Sequence, residues 1–410
     1  MSARRLAVAT AALLTAGALT ACGTVPAPPP AAPDYADDVA QRITATMSAY
    51  VVPGAVVRIS SPTRGEWTGT FGTGTIGAAE PPTVDDHVRI GSITKTMTST
   101  VILQLVGEGR LSLDDPIGKF RAGVPNGDRI TIAQLSEMRS GLFSYTFDPA
   151  FNATLDADPG KAWTPDELLA IAFAHPVDAE PGTQFEYSNT NIVLLGLVIE
   201  QLTGAPVAQA FQERIFTPLG MSRTSLPART DAAIPDPHPR GYSFGTNVST
   251  IDGYALPVDQ QAEALAGRLR PRDETDANPS WAWTAGGAIS TVPDLVTWAQ
   301  ALVGGRLLDP GLQQVRMDSI RPADAAHPGT GGYGLGIARF GPIVGHDGQI
   351  PGFMTFTGQD PATGLTITIA TNLATVPSGE GSAVALLKAI LPVFYPGMAV
   401  PGSPAAAPSG

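Results

Sequence analysis

The string Ile90-Gly91-Ser92-Ile93-Thr94-Lys95 precedes a helix-like run at residues 96–108. Of the four lysines in the chain, only Lys95 has a serine three residues before it. Residues three apart on a helix share a face, so the Ser92 hydroxyl and the Lys95 amine are expected to lie side by side. A serine at a helix start also lies at the positive end of the helix dipole. The pair is a candidate activated nucleophile, although a serine in this position is in isolation most often only a helix cap.

Two further strings carry side chains that such a nucleophile would need. A lysine has an ordinary pKa of about 10.4, so burial or a neighbouring positive end must lower the pKa before the amine can accept a proton. A second proton-carrying group and an oxyanion hole complete sites of this kind. The strings Tyr187-Ser188-Asn189 and His346-Asp347-Gly348 supply candidates. In isolation, the first is better explained as the start of a helix and the second as a turn.

The N-terminal residues are predicted to lie outside the fold. Arg4 and Arg5 precede a short apolar stretch at residues 6–19, a pattern typical of an export signal at residues 1–21 rather than of a membrane span. Cys22 is the only cysteine in the chain. No disulfide can therefore form within the chain, and an exported protein of this kind must be held together by its core.

Both flanks of the main body are rich in proline and alanine. This composition predicts an extended tether at residues 22–33 and a disordered tail at residues 397–410. The residues between them can bury a large core, and their number favours two domains or lobes. The formal net charge is −12 and becomes −14 when Arg4 and Arg5 are removed. An acidic chain argues against nucleic acid or an anionic membrane surface as the main partner.

Strand patterns lie near both ends of the main body. Residues 54–59 and 66–71 are typical of two strands joined by a Pro/Gly turn. Residues 365–369 alternate strictly between apolar and polar side chains, which predicts a half-buried strand. Residues 352–356 are expected to pair with that strand as a hairpin, and a helix at residues 383–391 closes the fold.

The middle of the chain carries helix signals. Candidate capping boxes, in which a threonine precedes an acidic or amide residue by three, occur at Thr131–Gln134, Thr164–Glu167 and Thr291–Asp294. The third is expected to open a helix with Leu295, Trp298 and Leu302 on one face. Another apolar helix is expected at residues 192–202, with Gly204 at its end.

The order of these patterns predicts an α/β fold with two lobes. An α/β lobe is expected to contain residues 34–91 and 288–396, because the first and last strands would form one sheet. A mostly helical lobe, opened by the nucleophile helix, is expected at residues 92–287. Residues 229–279 lack a clear period and are predicted to form long surface loops near the site. A cleft between lobes is a common place for a site.

Taken together, the three strings at Ser92–Lys95, Tyr187–Asn189 and His346–Gly348 resemble the serine β-lactamase and D,D-peptidase superfamily. The branch is that of the class C β-lactamases and D-alanyl-D-alanine carboxypeptidases, which also contains carboxylesterases. The strings match its motifs Ser-x-x-Lys, Tyr-x-Asn and Lys/His-x-Gly, and the resemblance covers residues 34–391. Other similar stretches are residues 138–142, 180–182, 215–221, 283–287 and 332–336. The resemblance implies an antiparallel sheet flanked by helices, with an inserted mostly helical lobe.

The resemblance also implies a mechanism. Ser92 would attack a carbonyl group and form an acyl-enzyme, while Lys95 and Tyr187 would carry protons to and from Ser92 and the leaving group. Asn189 would orient Lys95 and the substrate amide. The backbone amides of Ser92 and Gln349 would form the oxyanion hole. No metal or organic cofactor is expected.

His346, Asp347 and Gly348 would help to bind the substrate, but this motif departs from the family pattern. A hydroxyl residue, which helps to bind a substrate carboxylate, usually stands between the basic residue and the glycine. Asp347 presents a like charge instead, which repels a carboxylate unless a protonated His346 compensates for it. Some carboxypeptidases of the branch also carry an arginine where Ala338 stands, and Arg339 one residue later would point to the opposite face of a strand. Esters and less anionic amides therefore become plausible substrates.

The string Leu19-Thr20-Ala21-Cys22 resembles a bacterial lipoprotein cleavage box. This implies cleavage before Cys22 and attachment of lipid to its thiol; the alternative is an ordinary signal peptide with an unrelated cysteine. The membrane would then be a partner only through the lipid.

Three functions follow as hypotheses. The first is an exported, lipid-anchored serine hydrolase that acts on cell-wall D-alanyl peptides, with β-lactams as related ligands. The second is a carboxylesterase of the same fold. The third, from another class, is a non-catalytic lipoprotein that binds wall fragments. Outside the three motifs, Trp281 and Trp283 either line the cleft or only pack. Four histidines have no partners at metal-ligand spacing and are interpreted as structural, namely His87, His175, His238 and His327.

Overall fold

The computed structural model describes residues 32–324, 326 and 331–398. From Pro33 onward the described residues form one compact unit. Cys22, the export signal, most of the tether, His327 and most of the tail lie outside the described residues, so the expectations for them stay predictions.

Most strands lie near the two ends of the chain, and most helices lie between them. The helices are α1 (Ala36–Tyr50), α2 (Ile93–Gly107), α3 (Ile132–Ser136), α4 (Pro149–Ala157), α5 (Pro165–Phe173), α6 (Asn189–Thr203), α7 (Val207–Phe211), α8 (Thr217–Leu219), α9 (Val258–Leu265), α10 (Trp283–Gly286), α11 (Val292–Val303), α12 (Pro310–Asp318) and α13 (Ser382–Phe394). The strands are β1 (Gly54–Ser61), β2 (Gly65–Gly72), β3 (Val88–Arg89), β4 (Tyr242–Ser243), β5 (Arg272–Asp273), β6 (Ile289–Ser290), β7 (Arg321–Pro322), β8 (Gly332–Tyr333), β9 (Ala338–Phe340), β10 (Ile343–Ile350), β11 (Phe353–Gln359) and β12 (Thr366–Thr371).

The main sheet has eight strands in the order β2-β1-β12-β11-β10-β9-β8-β7. Neighbouring strands pair antiparallel. The hairpin of β1 and β2 and the hairpin of β11 and β12 are both as predicted. Strand β1 also pairs with β12, so the first and last strands share one sheet. This confirms the expected antiparallel sheet flanked by helices, whereas the boundaries of two lobes stay a prediction.

The prediction that β12 is half-buried was wrong, because all six of its residues are buried. Helix α13 contacts β11 and β12, and helix α11 contacts the same two strands. The threonine face of β12 lies under α11, and its polar groups have partners: Thr368 and Thr357 hydroxyls are 2.7 Å apart, and Thr357 donates to the carbonyl of Leu295. Threonine alternating with isoleucine therefore marks a strand buried on both faces, since each buried hydroxyl finds an acceptor.

Two of the three predicted capping boxes are present. The hydroxyls of Thr131 and Thr164 accept a hydrogen bond from the backbone N–H of Gln134 and Glu167, respectively. In return, the side chains of Gln134 and Glu167 accept from the backbone N–H of the two threonines. The third was wrong: α11 begins at Val292 without a side-chain cap from Thr291. The Asp294 carboxylate instead accepts hydrogen bonds from the backbone N–H of Arg223 and the hydroxyl of Thr224. Tertiary hydrogen bonds to Arg223 and Thr224 thus take the Asp294 carboxylate that a capping box with Thr291 would have used.

Helix α2 is buried on nearly every side although five of its residues are serine or threonine. Thr96 and Thr100 donate to backbone carbonyls three or four residues earlier, at 2.6 and 2.7 Å. The same two hydroxyls accept hydrogen bonds from neighbouring elements, from the indole of Trp298 on α11 and the guanidinium of Arg316 on α12, each at 2.8 Å. Thr98 donates to the carbonyl of Thr284 on α10 at 2.8 Å. These bonds let a polar helix occupy the interior.

The segment at residues 229–279 is mostly loop, as predicted, but it also contains helix α9 and the short ribbon of β4 and β5. Helix α6 ends at Gly204, whose φ of 72° is the left-handed conformation that glycine adopts readily. Among the described residues, no single helix has the length and apolar composition of a membrane span. Within the same residues, one bent pair of helices, Asn189–Thr203 and Val207–Leu219, meets both criteria when its two parts, 81° apart, are taken together.

Candidate active site

The Ser92 hydroxyl lies between an amine and a phenol. Its Oγ is 2.9 Å from Nζ of Lys95, one turn along the start of α2. The hydroxyl of Tyr187, two residues before α6, donates to the same oxygen at 2.8 Å. The structure thus brings together the three residues that the sequence singled out as nucleophile and proton carriers.

Burial makes the Lys95 amine a candidate base. Lys95 is 0 % exposed, and its amine donates a second hydrogen bond, 2.6 Å long, to the carbonyl of Ala285. Desolvation lowers the pKa of Lys95 to about 7, and the negative charge of Asp347 opposes this shift. Near neutral pH a large fraction of the amine is therefore unprotonated and able to take the proton of Ser92.

Tyr187 suits the role of proton donor. Burial raises the pKa of its phenol well above the ordinary range, and the neighbouring Tyr333 and Asp347 act in the same direction. The phenol therefore keeps its proton at neutral pH. Because Nζ of Lys95 lies 4.9 Å from the centre of the Tyr187 ring, the ring face also borders the amine. The opposite pKa shifts favour Lys95 as the proton acceptor and Tyr187 as the proton donor, the two roles that the sequence left open.

Two glycines let the nucleophile turn approach β10 closely. Gly91 has a φ of +49°, and a Cβ built on it would lie 2.7 Å from the backbone nitrogen of Gln349. A Cβ on Gly348 would lie 1.9 Å from the carbonyl oxygen of Ile90. This contact sets the backbone around Ser92 against the backbone of Gln349, where an oxyanion hole formed by their two amides is expected.

Asp347, rather than His346, faces the candidate site. Asp347 and Gln349 line the same pocket as Ser92, whereas His346 is 1 % exposed, with Nε2 at 3.1 Å from the Tyr333 hydroxyl. The expectation that His346 contacts substrate is therefore corrected. Successive residues of a strand point to opposite faces, so a pocket meets either the first and third residues of the His346-Asp347-Gly348 motif or its middle residue. Here the middle residue, Asp347, faces the pocket.

The structure also corrects the contacts of Asn189. Its side-chain amide donates to the hydroxyl of Thr146 at 3.2 Å, and its backbone N–H donates to Ser144. The second partner of the Lys95 amine is the carbonyl of Ala285 instead. Asn189 does line the pocket, so its expected contact with the substrate amide stays a prediction.

Sequence reasoning missed much of the pocket wall. Trp281 lines the pocket, whereas Trp283 is 5 % exposed and is not among the lining residues, so the first alternative holds for Trp281 and the second for Trp283. Much of the remaining wall comes from the loop at residues 243–254, and the charged pair Arg272 and Glu274 lies beside it. The surface loops predicted near the site therefore form part of it. The aromatic and hydroxyl residues in that stretch gave no signal, because nothing local distinguishes a loop that lines a pocket from one that does not.

The remaining predicted features lie elsewhere. Ala338 is buried and Arg339 half-buried on β9, and neither is among the residues that line the pocket. His175 contacts the Asp148 carboxylate at 2.8 Å and stacks on Phe143. Over the described part of the chain, no group of three or more histidine, cysteine, aspartate or glutamate side chains has the geometry to hold a metal ion.

Comparison with known proteins gives the family. The beta-lactamase family model matches residues 39–390. The chain is 26 % identical over 378 residues to the D-alanyl-D-alanine-carboxypeptidase/endopeptidase AmpH of Escherichia coli K12, covering 85 % of this chain and 87 % of that protein.

Two solved structures agree with this match. The D-stereospecific amidohydrolase from Streptomyces sp. is 33 % identical, with a TM-score of 0.72 over 88 % of this chain and 99 % of that one. The D-amino acid amidase from Ochrobactrum anthropi SV3 is 28 % identical, with a TM-score of 0.70 over 87 % and 99 %. The family model spans nearly all of the described fold, and the chain therefore belongs to the beta-lactamase family and is a serine hydrolase.

Proposed function

We propose that this protein hydrolyses amide bonds of small D-amino-acid derivatives through an acyl-enzyme on Ser92. The observation that carries the proposal is the Ser92 oxygen held at 2.9 Å from the buried Lys95 amine and 2.8 Å from the half-buried phenol of Tyr187. The names of the Streptomyces amidohydrolase and of the Ochrobactrum amidase support the substrate class, since both proteins resemble this chain over most of its length.

The arrangement suits a two-step reaction. As the Ser92 oxygen bonds to the substrate carbonyl carbon, its proton passes to the neutral Lys95 amine. Negative charge develops on the carbonyl oxygen, where the amides of Ser92 and Gln349 are expected to stabilise it. The C–N bond then breaks, and the phenol of Tyr187 protonates the leaving nitrogen while Lys95 returns the proton to the phenol. Water attacks the acyl group by the same route and restores the Ser92 hydroxyl.

Asp347 favours amide ends over carboxylate ends. It lines the pocket with Ser92 and is 4 % exposed, so its negative charge is poorly screened by water. A substrate that ends in a D-alanine carboxylate would bring a second negative charge into this pocket. A substrate that ends in a neutral amide would not.

A D-alanyl-D-alanine carboxypeptidase is the second candidate function. The similarity to AmpH, over 85 % of this chain, favours it. Relative values of kcat/KM on D-alanine amide, L-alanine amide, a D-alanyl-D-alanine peptide and a p-nitrophenyl ester distinguish the amidase, the carboxypeptidase and the carboxylesterase. We expect the D-amide to be preferred over the L-amide and over the peptide.

The nucleophile is tested separately. A fluorophosphonate or a fluorescent penicillin should label the wild-type protein and the surface control Ser222→Ala, and should fail to label Ser92→Ala. Label retained on Ser92→Ala would refute the assignment. Folded Lys95→Ala without turnover would exclude a non-catalytic binding protein.

We also propose that the protein is exported and held at the membrane by lipid on Cys22. The support is the sequence alone: the basic start, the apolar stretch and the Leu-Thr-Ala-Cys string that ends at Cys22.

A further inference from the structure

The pocket contains a carboxylate that the proposed reaction does not use. Asp347 is 4 % exposed, lies on β10 two residues before Gln349, and lines the same pocket as Ser92 and Tyr187. A buried carboxylate is costly unless it is paired with a positive group or with hydrogen-bond donors. Its surroundings therefore indicate what it binds.

The adjacent histidine is a poor counter-ion for this carboxylate. Nδ1 of His346 lies 3.4 Å from Oδ1 of Asp347 but only 2.5 Å from the backbone carbonyl oxygen of the same residue. Nε2 of His346 lies 3.1 Å from the Tyr333 hydroxyl. Both ring nitrogens of His346 therefore have closer partners than the Asp347 carboxylate, namely the backbone carbonyl at Nδ1 and the Tyr333 phenol at Nε2.

The other basic side chains near the pocket are also poor counter-ions for Asp347. Arg272 pairs with Glu274 at 2.6 Å and approaches Asp156 at 3.9 Å, so two carboxylates already share its charge. The Lys95 amine must be neutral to act as a base. The negative charge of Asp347 acts to raise the pKa of Lys95, against the larger lowering by burial. It also adds to the burial that raises the pKa of Tyr187, Tyr254 and Tyr333, in agreement with its position in the pocket. The pocket thus offers a negative site next to the reacting groups.

We propose that Asp347 binds a primary ammonium group of the substrate beside the scissile amide. This inference rests on the proposed function and adds a substrate class to it: D-amino-acid amides and short peptides that carry a free amine. Two parts of such a substrate can supply the ammonium, the α-amino group of the acyl half or an amine on the leaving half. Asp347 would repel a substrate carboxylate at the same place, so this side chain both favours substrates with an ammonium group and disfavours substrates with a carboxylate there.

Protection of Ser92 from a fluorophosphonate tests binding without requiring turnover. The protectants are D-alanine amide, N-acetyl-D-alanine amide and D-lactamide, in which a neutral hydroxyl replaces the ammonium. N-acetyl-D-alanine 2-aminoethylamide and its propylamide analogue form the leaving-half pair. We expect the charged member of at least one pair to protect the wild type at least tenfold better than its neutral counterpart, and the pair that does so identifies the source of the ammonium. Equal protection by charged and neutral members of both pairs would overturn the inference.

Asp347→Asn removes the charge and keeps the shape. We expect the tenfold difference to fall towards one in this variant, while Glu274→Gln, which alters a carboxylate already paired with Arg272, keeps a clear difference. If Asp347→Asn fails to fold, the comparisons of charged with neutral members in both pairs on the wild type still decide. Charge-dependent protection without any amide hydrolysis would refute the proposed amidase activity and leave this inference standing, whereas an unchanged difference in folded Asp347→Asn would refute the inference alone.

Discussion

The Lys95 amine combines a chemical advantage with a cost to stability. Full burial brings its pKa down to about 7, which makes the amine a useful base at neutral pH. The same burial disfavours the protonated form in the folded state relative to the unfolded chain, where the pKa of lysine is ordinary. Activity and stability therefore respond to pH through one group, and each response can be measured.

The rate is expected to rise with pH because Lys95 must be unprotonated. With a neutral ester as substrate, kcat/KM should increase through a pKa of about 7 and then level off, since Tyr187 keeps its proton well beyond that range. The measurement is a pH–rate profile from pH 5 to pH 9. Lys95→Arg should be inactive throughout, because a guanidinium stays charged. A profile that stays flat across this range would contradict the assignment of Lys95 as the base.

The free energy of unfolding should also depend on pH through Lys95. The folded-state pKa lies below the unfolded-state value, so the cost of burial is absent above about 10.5, grows as the pH falls, and is complete below about 7. Lys95→Met should therefore gain stability relative to the wild type by about 3 kcal/mol more at pH 6 than at pH 9. Urea denaturation at both pH values measures this difference. Ser92→Ala, which keeps the amine, should show the pH dependence of the wild type, and a pH-independent effect of Lys95→Met would be inconsistent with a shifted amine.

At this scale the sequence predicted the reacting side chains but not their surroundings. Ser92, Lys95 and Tyr187 could be found because hydroxyl, amine and phenol stand in recognisable motifs. The carbonyl of Ala285 could not, since every residue carries the same group and only the fold selects one. Whether His346 or Asp347 faces the pocket depends on which face of β10 meets the pocket, and a three-residue motif does not determine which face that is.

At the scale of elements, the site depends on the contact of the nucleophile turn with β10. Gly348 approaches the backbone of Ile90, and the Thr355 hydroxyl on β11 donates to the same Ile90 carbonyl at 3.0 Å. Strand pairing thus fixes the place of Gln349 relative to Ser92. The sequence predicted the hairpin of β11 and β12, from the alternation in β12. It predicted neither the pairing of β10 with β11 nor how close the turn lies, because a glycine in a strand has several explanations.

Gly348→Ala is expected to widen this contact. The added Cβ would lie 1.9 Å from the Ile90 oxygen, so the turn and the strand must separate and the amide of Gln349 must move away from the substrate oxygen. Loss of one oxyanion donor lowers kcat by roughly 100-fold or more. Steady-state kinetics on a neutral ester, together with circular dichroism, measure the effect. Gly160→Ala, where the Cβ would meet its nearest atom at an ordinary 3.6 Å, is the matched control, and full activity of Gly348→Ala would argue against the oxyanion hole.

At the scale of the whole molecule, the two ends of the fold depend on each other. Strand β1 pairs with β12, and α1 packs on α13, where the rings of Tyr35 and Phe394 lie 5.0 Å apart. The sheet therefore cannot be completed until residues more than 300 positions apart in the chain have met, since β1 begins at Gly54 and β12 ends at Thr371. The sequence predicted this closure correctly, because strand patterns stood at both ends with helical patterns between them.

Attachment to the membrane is a prediction for the molecule as a whole. Cys22→Ser should leave the export signal intact but remove the thiol that would carry lipid. We expect the wild-type protein to incorporate labelled palmitate and to sediment with membranes, and the variant to do neither while keeping its activity. A variant that still sediments with membranes would show that another feature holds the protein there.

The hydroxyl groups along helix α2 have a consequence for engineering. Because Thr96, Thr98 and Thr100 are tied to three different neighbouring helices, α2 cannot roll about its own axis without losing several bonds at once. These hydrogen bonds, on buried sides of α2 that no reactant reaches, thus set the direction of the Ser92 oxygen. Substitutions such as Thr98→Val or Trp298→Phe can therefore silence the enzyme while its pocket keeps every side chain, and efforts to redesign its selectivity should leave these hydrogen bonds untouched.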